Sequence, residues 1–154
     1  MRAVMAMLML LAALHDVRRP GAIRWGASPE EMARVLAGLC VRIRDRPIDP
    51  PFLANVLRQR QLDCYSFPFL GRGRYVEFVF GDNRLEMVWI MVDAAERPAI
   101  LGAMRAAYGA PSHSRRGFVA FVRYRTAWRD EPAEMLFYSP AQAGDWLAWF
   151  EGER

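Results

Sequence analysis

The sequence predicts an α+β fold in which an antiparallel sheet of about four to five strands packs against helices, in the order helix–helix–β–β–β–α–β–β–helix. Three observations predict it. Ser28-Pro29-Glu30-Glu31 opens a run of apolar residues at helical spacing, the hydrophobic period drops to two from Leu62, and Gly109 followed by Pro111 ends another helical run. With 154 residues, 53% of them hydrophobic, the chain supplies one core and needs neither metal nor disulfide to close it.

Met1-Arg2 precedes an unbroken apolar run over residues 3–14, ending at polar His15-Asp16. One positive charge, a short apolar stretch and small residues at Ala12-Ala13 compose a secretory signal peptide. The run is too short to span a bilayer, which takes about 20 apolar residues. No cysteine stands at the cut, so a lipid-anchored form is not expected. Residues 1–14 are therefore read as a leader, 15–27 as an approach segment and 28–151 as the domain. The location expected is periplasmic or secreted, with a cytoplasmic protein as the alternative.

In the approach to the first helix, Ser28 is placed to accept from the Glu31 amide, and Glu31 to reach back to the Ser28 amide. Pro29 suits the first helical position. Met32, Val35, Leu36 and Leu39 form the buried stripe. Val41 and Ile43 alternate with arginines, as in a short strand or extended link. Asp49 and Pro50 then offer the start of a second helix, with Leu53, Val56 and Leu57 on one side. Residues 62–69 read as a strand that is bulged or at an edge, because Pro68 has no N–H for a ladder. Strands 75–80 and 85–92 flank Gly81-Asp82-Asn83-Arg84, read as a four-residue hairpin loop. The later strand is apolar on both faces except at Glu86, so it belongs at the centre of a sheet covered on both sides, by helices on one and with the other open to a partner. Asp93 and Glu96 begin a third helix with Ile100, Leu101, Met104 and Tyr108 inward. Residues 118–128 and 135–138 read as two further strands, and Ser139-Pro140-Ala141-Gln142 repeats the capping pattern ahead of Trp146, Leu147 and Phe150.

Net charge is +4, and every basic side chain is arginine. That composition fits codon bias in a GC-rich genome, or selection for guanidinium groups that grip carboxylate and phosphate. Arg42, Arg44 and Arg46, Arg115 and Arg116, and Arg123, Arg125 and Arg129 are read as a solvated basic face. Arg123 and Arg125 are the candidates for docking to an acidic partner or an anionic lipid surface. Nucleic acid is not the expected partner. The stretch 72–80 has the basic residue and glycine of an aromatic RNA-binding strand, but Arg74 stands where an aromatic belongs and Tyr75 where a small residue belongs.

No catalytic set emerges, and no cofactor or metal is expected. His113 lies in a loop between two serines. Glu30 and Glu31 are explained by capping, Glu77 and Glu86 are expected to face one another across their hairpin, and Asp130, Glu131 and Glu134 to sit at a solvated turn. Cys40 and Cys64 either pair, as an oxidising compartment permits, or stay separately buried.

The order Trp25-Gly26-x-Ser28-Pro29-Glu30-Glu31, then FVFGDNRLEMVWI, then Ala107-Tyr108-Gly109-Ala110-Pro111 resembles small exported proteobacterial proteins of unknown function. A looser similarity of arrangement extends to helix-plus-sheet domains of envelope assembly lipoproteins and of β-lactamase inhibitor proteins. The resemblance implies the architecture and no active site. The function expected is that of a non-enzymatic envelope protein working through protein contact, with an unknown envelope protein or a second copy, at Trp89, Trp146 and Trp149. A small-ligand carrier or enzyme with an apolar pocket between sheet and helices is the alternative, and a cytoplasmic immunity or inhibitor-type protein is a third.

Overall fold

A computed structural model describes residues 16–152, so the expected leader lies outside the described residues. The fold is α+β, but the sheet has eight strands rather than four to five. The strands are β1 (Arg42–Ile48), β2 (Gln59–Phe69), β3 (Arg72–Gly81), β4 (Arg84–Met91), β5 (His113–Arg115), β6 (Phe118–Phe121), β7 (Thr126–Arg129) and β8 (Glu134–Tyr138). The helices among these residues are α1 (Pro29–Leu36), α2 (Arg97–Tyr108) and α3 (Ala143–Glu151).

Three places account for the extra strands. The arginine-alternating segment continues as a full edge strand, β1, whose Pro47 is tolerated because that edge is unpaired. The stretch 118–128 is broken by a 3-10 turn at Val122–Tyr124, after which Arg125 takes a left-handed φ of 51°. The supposed loop around His113 pairs with β6, His113 lying opposite Ala120.

Strand order is β1-β2-β3-β4-β8-β7-β6-β5, with every pairing antiparallel. Two four-strand meanders thus meet at β4 and β8. Both strands are buried on each face, β8 at all five positions and β4 over Leu85–Ile90, as the apolar run of β4 requires. On the first face Leu85, Val88 and Ile90 of β4 pack with Met32 and Leu36 of α1, Ile100, Leu101 and Met104 of α2, and Val17 and Ile23 of the approach segment.

The cap of α1 forms as the sequence implies, with the Glu31 amide donating to Ser28 Oγ at 3.2 Å and the Ser28 amide to Glu31 at 2.7 Å. Asp93 and Glu96 make the same reciprocal pair on a 3-10 turn that leads into α2. Arg74 then fastens that turn to β3. Its guanidinium, only 5% exposed, donates to both Glu96 oxygens at 2.6 and 2.8 Å and holds that carboxyl down at about 2. Gly109 ends α2 at φ 85°, ψ −156°, a region only glycine visits readily, and not the left-handed cap the stop signal suggests.

Four local expectations are corrected. Residues 49–58 form no helix, because Pro51 pushes Pro50 out of the helical region at the position where a helix would start. The β3–β4 turn is shorter than the loop read from the sequence, since Gly81 pairs with Arg84 and only Asp82 and Asn83 (φ 45° and 65°) span it. Glu77 lies opposite Trp89, while Glu86 is the extra residue of a bulge. Ser139 does not cap α3; its hydroxyl donates to the buried Glu86 carboxylate and its amide to the Glu86 carbonyl at 2.9 Å.

Candidate functional site

The second face of the sheet carries Val79, Met87, Trp89, Leu136 and Tyr138 in its middle, with Phe118, Ala120 and Ala127 alongside. An apolar surface of this kind has to be covered. The sequence left that cover open to a partner, and in the structure the chain supplies much of it itself. Helix α3 lies across the face through Trp146, Trp149 and Phe150, and the 49–58 loop brings Leu53 and Val56 from the other side. Between helix and loop a groove of ≈ 460 Å³ stays open.

Trp89 and Met87 of β4, Glu77 of β3 and Arg129 of β7 line the groove from the sheet. Gln142, Asp145, Trp146 and Trp149 line it from α3 and the turn before it, and Phe52, Leu53 and Ala54 form the opposite lip. That lip is tied down. The amides of Phe52 and Leu53 donate to Gln59 Oε1 at 2.9 and 3.0 Å, and those of Leu57 and Arg58 to Asp82 at 3.0 and 2.9 Å. Gly81 lets the loop approach, because a Cβ there would stand 2.7 Å from Val56 Cγ1.

The tryptophans are packed by geometry as well as by area. Trp146 meets Trp89 edge-on at 5.9 Å, lies near-parallel to Tyr138 at 5.9 Å and approaches Trp149 at 6.0 Å. Its indole N–H donates to Met87 Sδ at 3.3 Å. Trp89 is 7% exposed, whereas Trp146 and Trp149 are half-buried and present themselves to the groove.

Arg129 lies with Cζ 4.2 Å from the Trp89 ring centre, a cation held on the indole face. Its Nη2 reaches Glu134 Oε2 at 2.5 Å across the β7–β8 hairpin. Among the described residues Arg129 Nε has no hydrogen-bond partner, so the Nη2 contact is what joins the guanidinium to Glu134. Glu134 is 1% exposed, which corrects its expected place at a solvated turn. Burial lifts its carboxyl to about 7, with Arg129 pulling the other way and Glu77 adding to the rise. Toward β1 the same face turns polar. Buried Asp63 accepts from Arg46 at 2.8 Å and from Gln61 at 2.6 Å.

Of the residues singled out in the sequence, Trp89, Trp146 and Trp149 come together here. Arg123 and Arg125 do not line the groove; Arg123 lies with Tyr124, whose ring is 4.8 Å from Tyr108 at the end of α2. Other arginines of the expected basic face make contacts within the chain, Arg42 over Tyr65 at 4.0 Å and Arg116 over Trp149 at 5.4 Å. Cys40 and Cys64 form a disulfide that joins the link between α1 and β1 to β2, so neither offers a thiol to His113. His113 stacks on Phe150 at 6.2 Å. The 72–80 stretch is inward-facing at Arg74, Val76, Phe78 and Phe80. Sequence reasoning missed Phe52, Gln142, Asp145 and the Arg129–Glu134 pair. Opposite charges flanking a tight turn were the one signal for the pair, since they fall opposite one another once the hairpin closes.

Among the described residues no group of three or more His, Cys, Asp or Glu is placed to hold a metal, and no helix is long and apolar enough to cross a membrane. No family model matches the chain, and neither a curated protein nor a solved structure does.

Proposed function

We propose that this is an exported, non-catalytic binding protein whose binding site is the groove between α3 and the 52–54 lip. One observation carries the reading: a hollow of ≈ 460 Å³ on a rigid sheet, in which half-buried tryptophans alternate with charged and amide side chains. That volume lies in the usual range for ligand sites, and a few polar groups set among aromatic ones give such sites their selectivity. Export is supported by the apolar run over residues 3–14 and by the Cys40–Cys64 bridge, since disulfides persist in oxidising compartments.

Protein contact is the second reading. It is favoured by Phe52, 57% exposed on the lip of the groove, and by Leu147, 37% exposed outside it, which together carry apolar surface out to solvent.

Native mass spectrometry of the protein released from the periplasm of a bacterial host tests the first reading. The expected result is a chain lacking its leader, with both thiols blocked, carrying a non-covalent adduct that the Trp149→Ala variant loses. A full-length cytoplasmic chain removes the export part. A bare mass under all gentle conditions, with a second protein co-eluting, moves the function to the second reading.

A further inference from the structure

We infer that the groove takes a neutral sugar, as a short oligosaccharide, an inference that rests on reading the groove as a ligand site. The lining makes the choice by chemistry. An anionic ligand would meet the Glu77 and Asp145 carboxylates. An organic cation would find the indole faces of Trp89 and Trp149 already under this chain's own guanidinium groups, Arg129 at 4.2 Å and Arg116 at 5.4 Å. A purely apolar ligand would strip water from Glu77, Arg129, Gln142 and Asp145 and return no hydrogen bond to any of them.

A sugar meets each of these demands. Every hydroxyl both donates and accepts, so it serves a carboxylate, a guanidinium and an amide alike. The C–H groups on a pyranose face carry slight positive charge and pack on the negative face of an aromatic ring. Phe52, 57% exposed, supplies such a ring at the lip, Trp146 and Trp149 add half-buried aromatic surface from α3 beside the faces already covered by Tyr138 and Arg116, and the polar side chains stand between them on the sheet and the helix start. The groove stays open at the surface, so a chain of sugar rings can run through it with its ends in solvent.

Saturation-transfer NMR and tryptophan fluorescence of the full chain with maltose, cellobiose and N,N′-diacetylchitobiose provide the test. At least one disaccharide is expected to give a saturable response. Phe52→Ala, which truncates an exposed side chain, and Trp149→Ala should each weaken that response about tenfold or more. Leu147→Ala, on the same helix but outside the groove, should leave it unchanged. Silence from all three sugars overturns the inference, as does a response that both groove variants leave intact. Saturable binding of decanoate or tetramethylammonium in place of the sugars overturns it too. If the adduct carried from the periplasm is a lipid or a peptide, the groove is a ligand site and the sugar assignment alone fails.

Discussion

Reduction of the Cys40–Cys64 bridge is the perturbation whose size follows most directly from the structure. The two residues are separated by 24 positions, and Cys64 sits in β2 with no exposed surface. In the chain-entropy account, closing a loop of that length removes about 3.5 kcal/mol of freedom from the unfolded ensemble. The folded state has little reason to change when the bond opens. α1 is held independently by its capping box, by burial of Met32 and Leu36, and by the Gly26 amide donating to the Leu85 carbonyl at 3.1 Å with Leu85 answering to Ala27 at 2.9 Å. The loss therefore falls on the unfolded side. Urea unfolding followed by tryptophan fluorescence, with and without reductant, reads it out. With a slope of about 2 kcal/mol per molar, the midpoint should fall by about 1.5–2 M. The slope should also rise, because an uncross-linked ensemble exposes more surface. Equal midpoints for samples whose masses prove both thiols free and both thiols joined would refute the argument.

Three further outcomes follow from particular contacts. Ser139→Ala removes the hydroxyl that Glu86 accepts from inside the bulge, and should cost about 2–3 kcal/mol in urea unfolding, since a buried carboxylate loses a donor. Glu134 has a folded-state carboxyl raised from 4.5 to about 7, so its contribution is fully present below 4.5 and is lost as pH rises through about 7. Stability profiles should therefore show wild type losing ground to Glu134→Gln between about pH 5 and pH 8, by up to about 3 kcal/mol; parallel profiles would contradict the burial argument. Gly81→Ala places a methyl 2.7 Å from Val56 and 3.1 Å from Leu53, which should destabilise by about 1–3 kcal/mol and speed proteolysis of the 49–58 loop, while an unchanged cleavage rate would mean the lip is not seated on that glycine.

What was legible in the sequence was local. The reciprocal bonds of Ser28 with Glu31, and of Asp93 with Glu96, each join residues three apart, so the residue types at those positions suffice to write them. Asp82-Asn83 carries the positive φ angles of its turn for the same reason. The burial of β4 on both faces was legible because its apolar run leaves no solvent side. Where two local signals competed, the reading failed. Asp49-Pro50 resembles a helix start until Pro51 is weighed, and Ser139-Pro140 resembles a cap until Glu86 claims the hydroxyl.

The groove itself was legible only as a set of tryptophans without an arrangement. Trp146 and Trp149 stand on a helix whose stripe marks one face as sticky, and nothing in that stripe says which side of the sheet it will meet. Arg129 and Glu134 needed the exact hairpin register to become a pair, and that pair needed Trp89 from the other meander to become part of a site.

Alone, the order of residues determined the caps at Ser28 and Asp93, where turns form and which strand must lie at the centre, because capping, backbone preference and burial period act within a few positions of the chain. Tertiary structure decided the count of strands, the meeting of β4 with β8, the side on which α3 lies and hence the groove. Those depend on contacts between residues far apart in the chain, where the covering of one apolar face sets the position of every side chain around it.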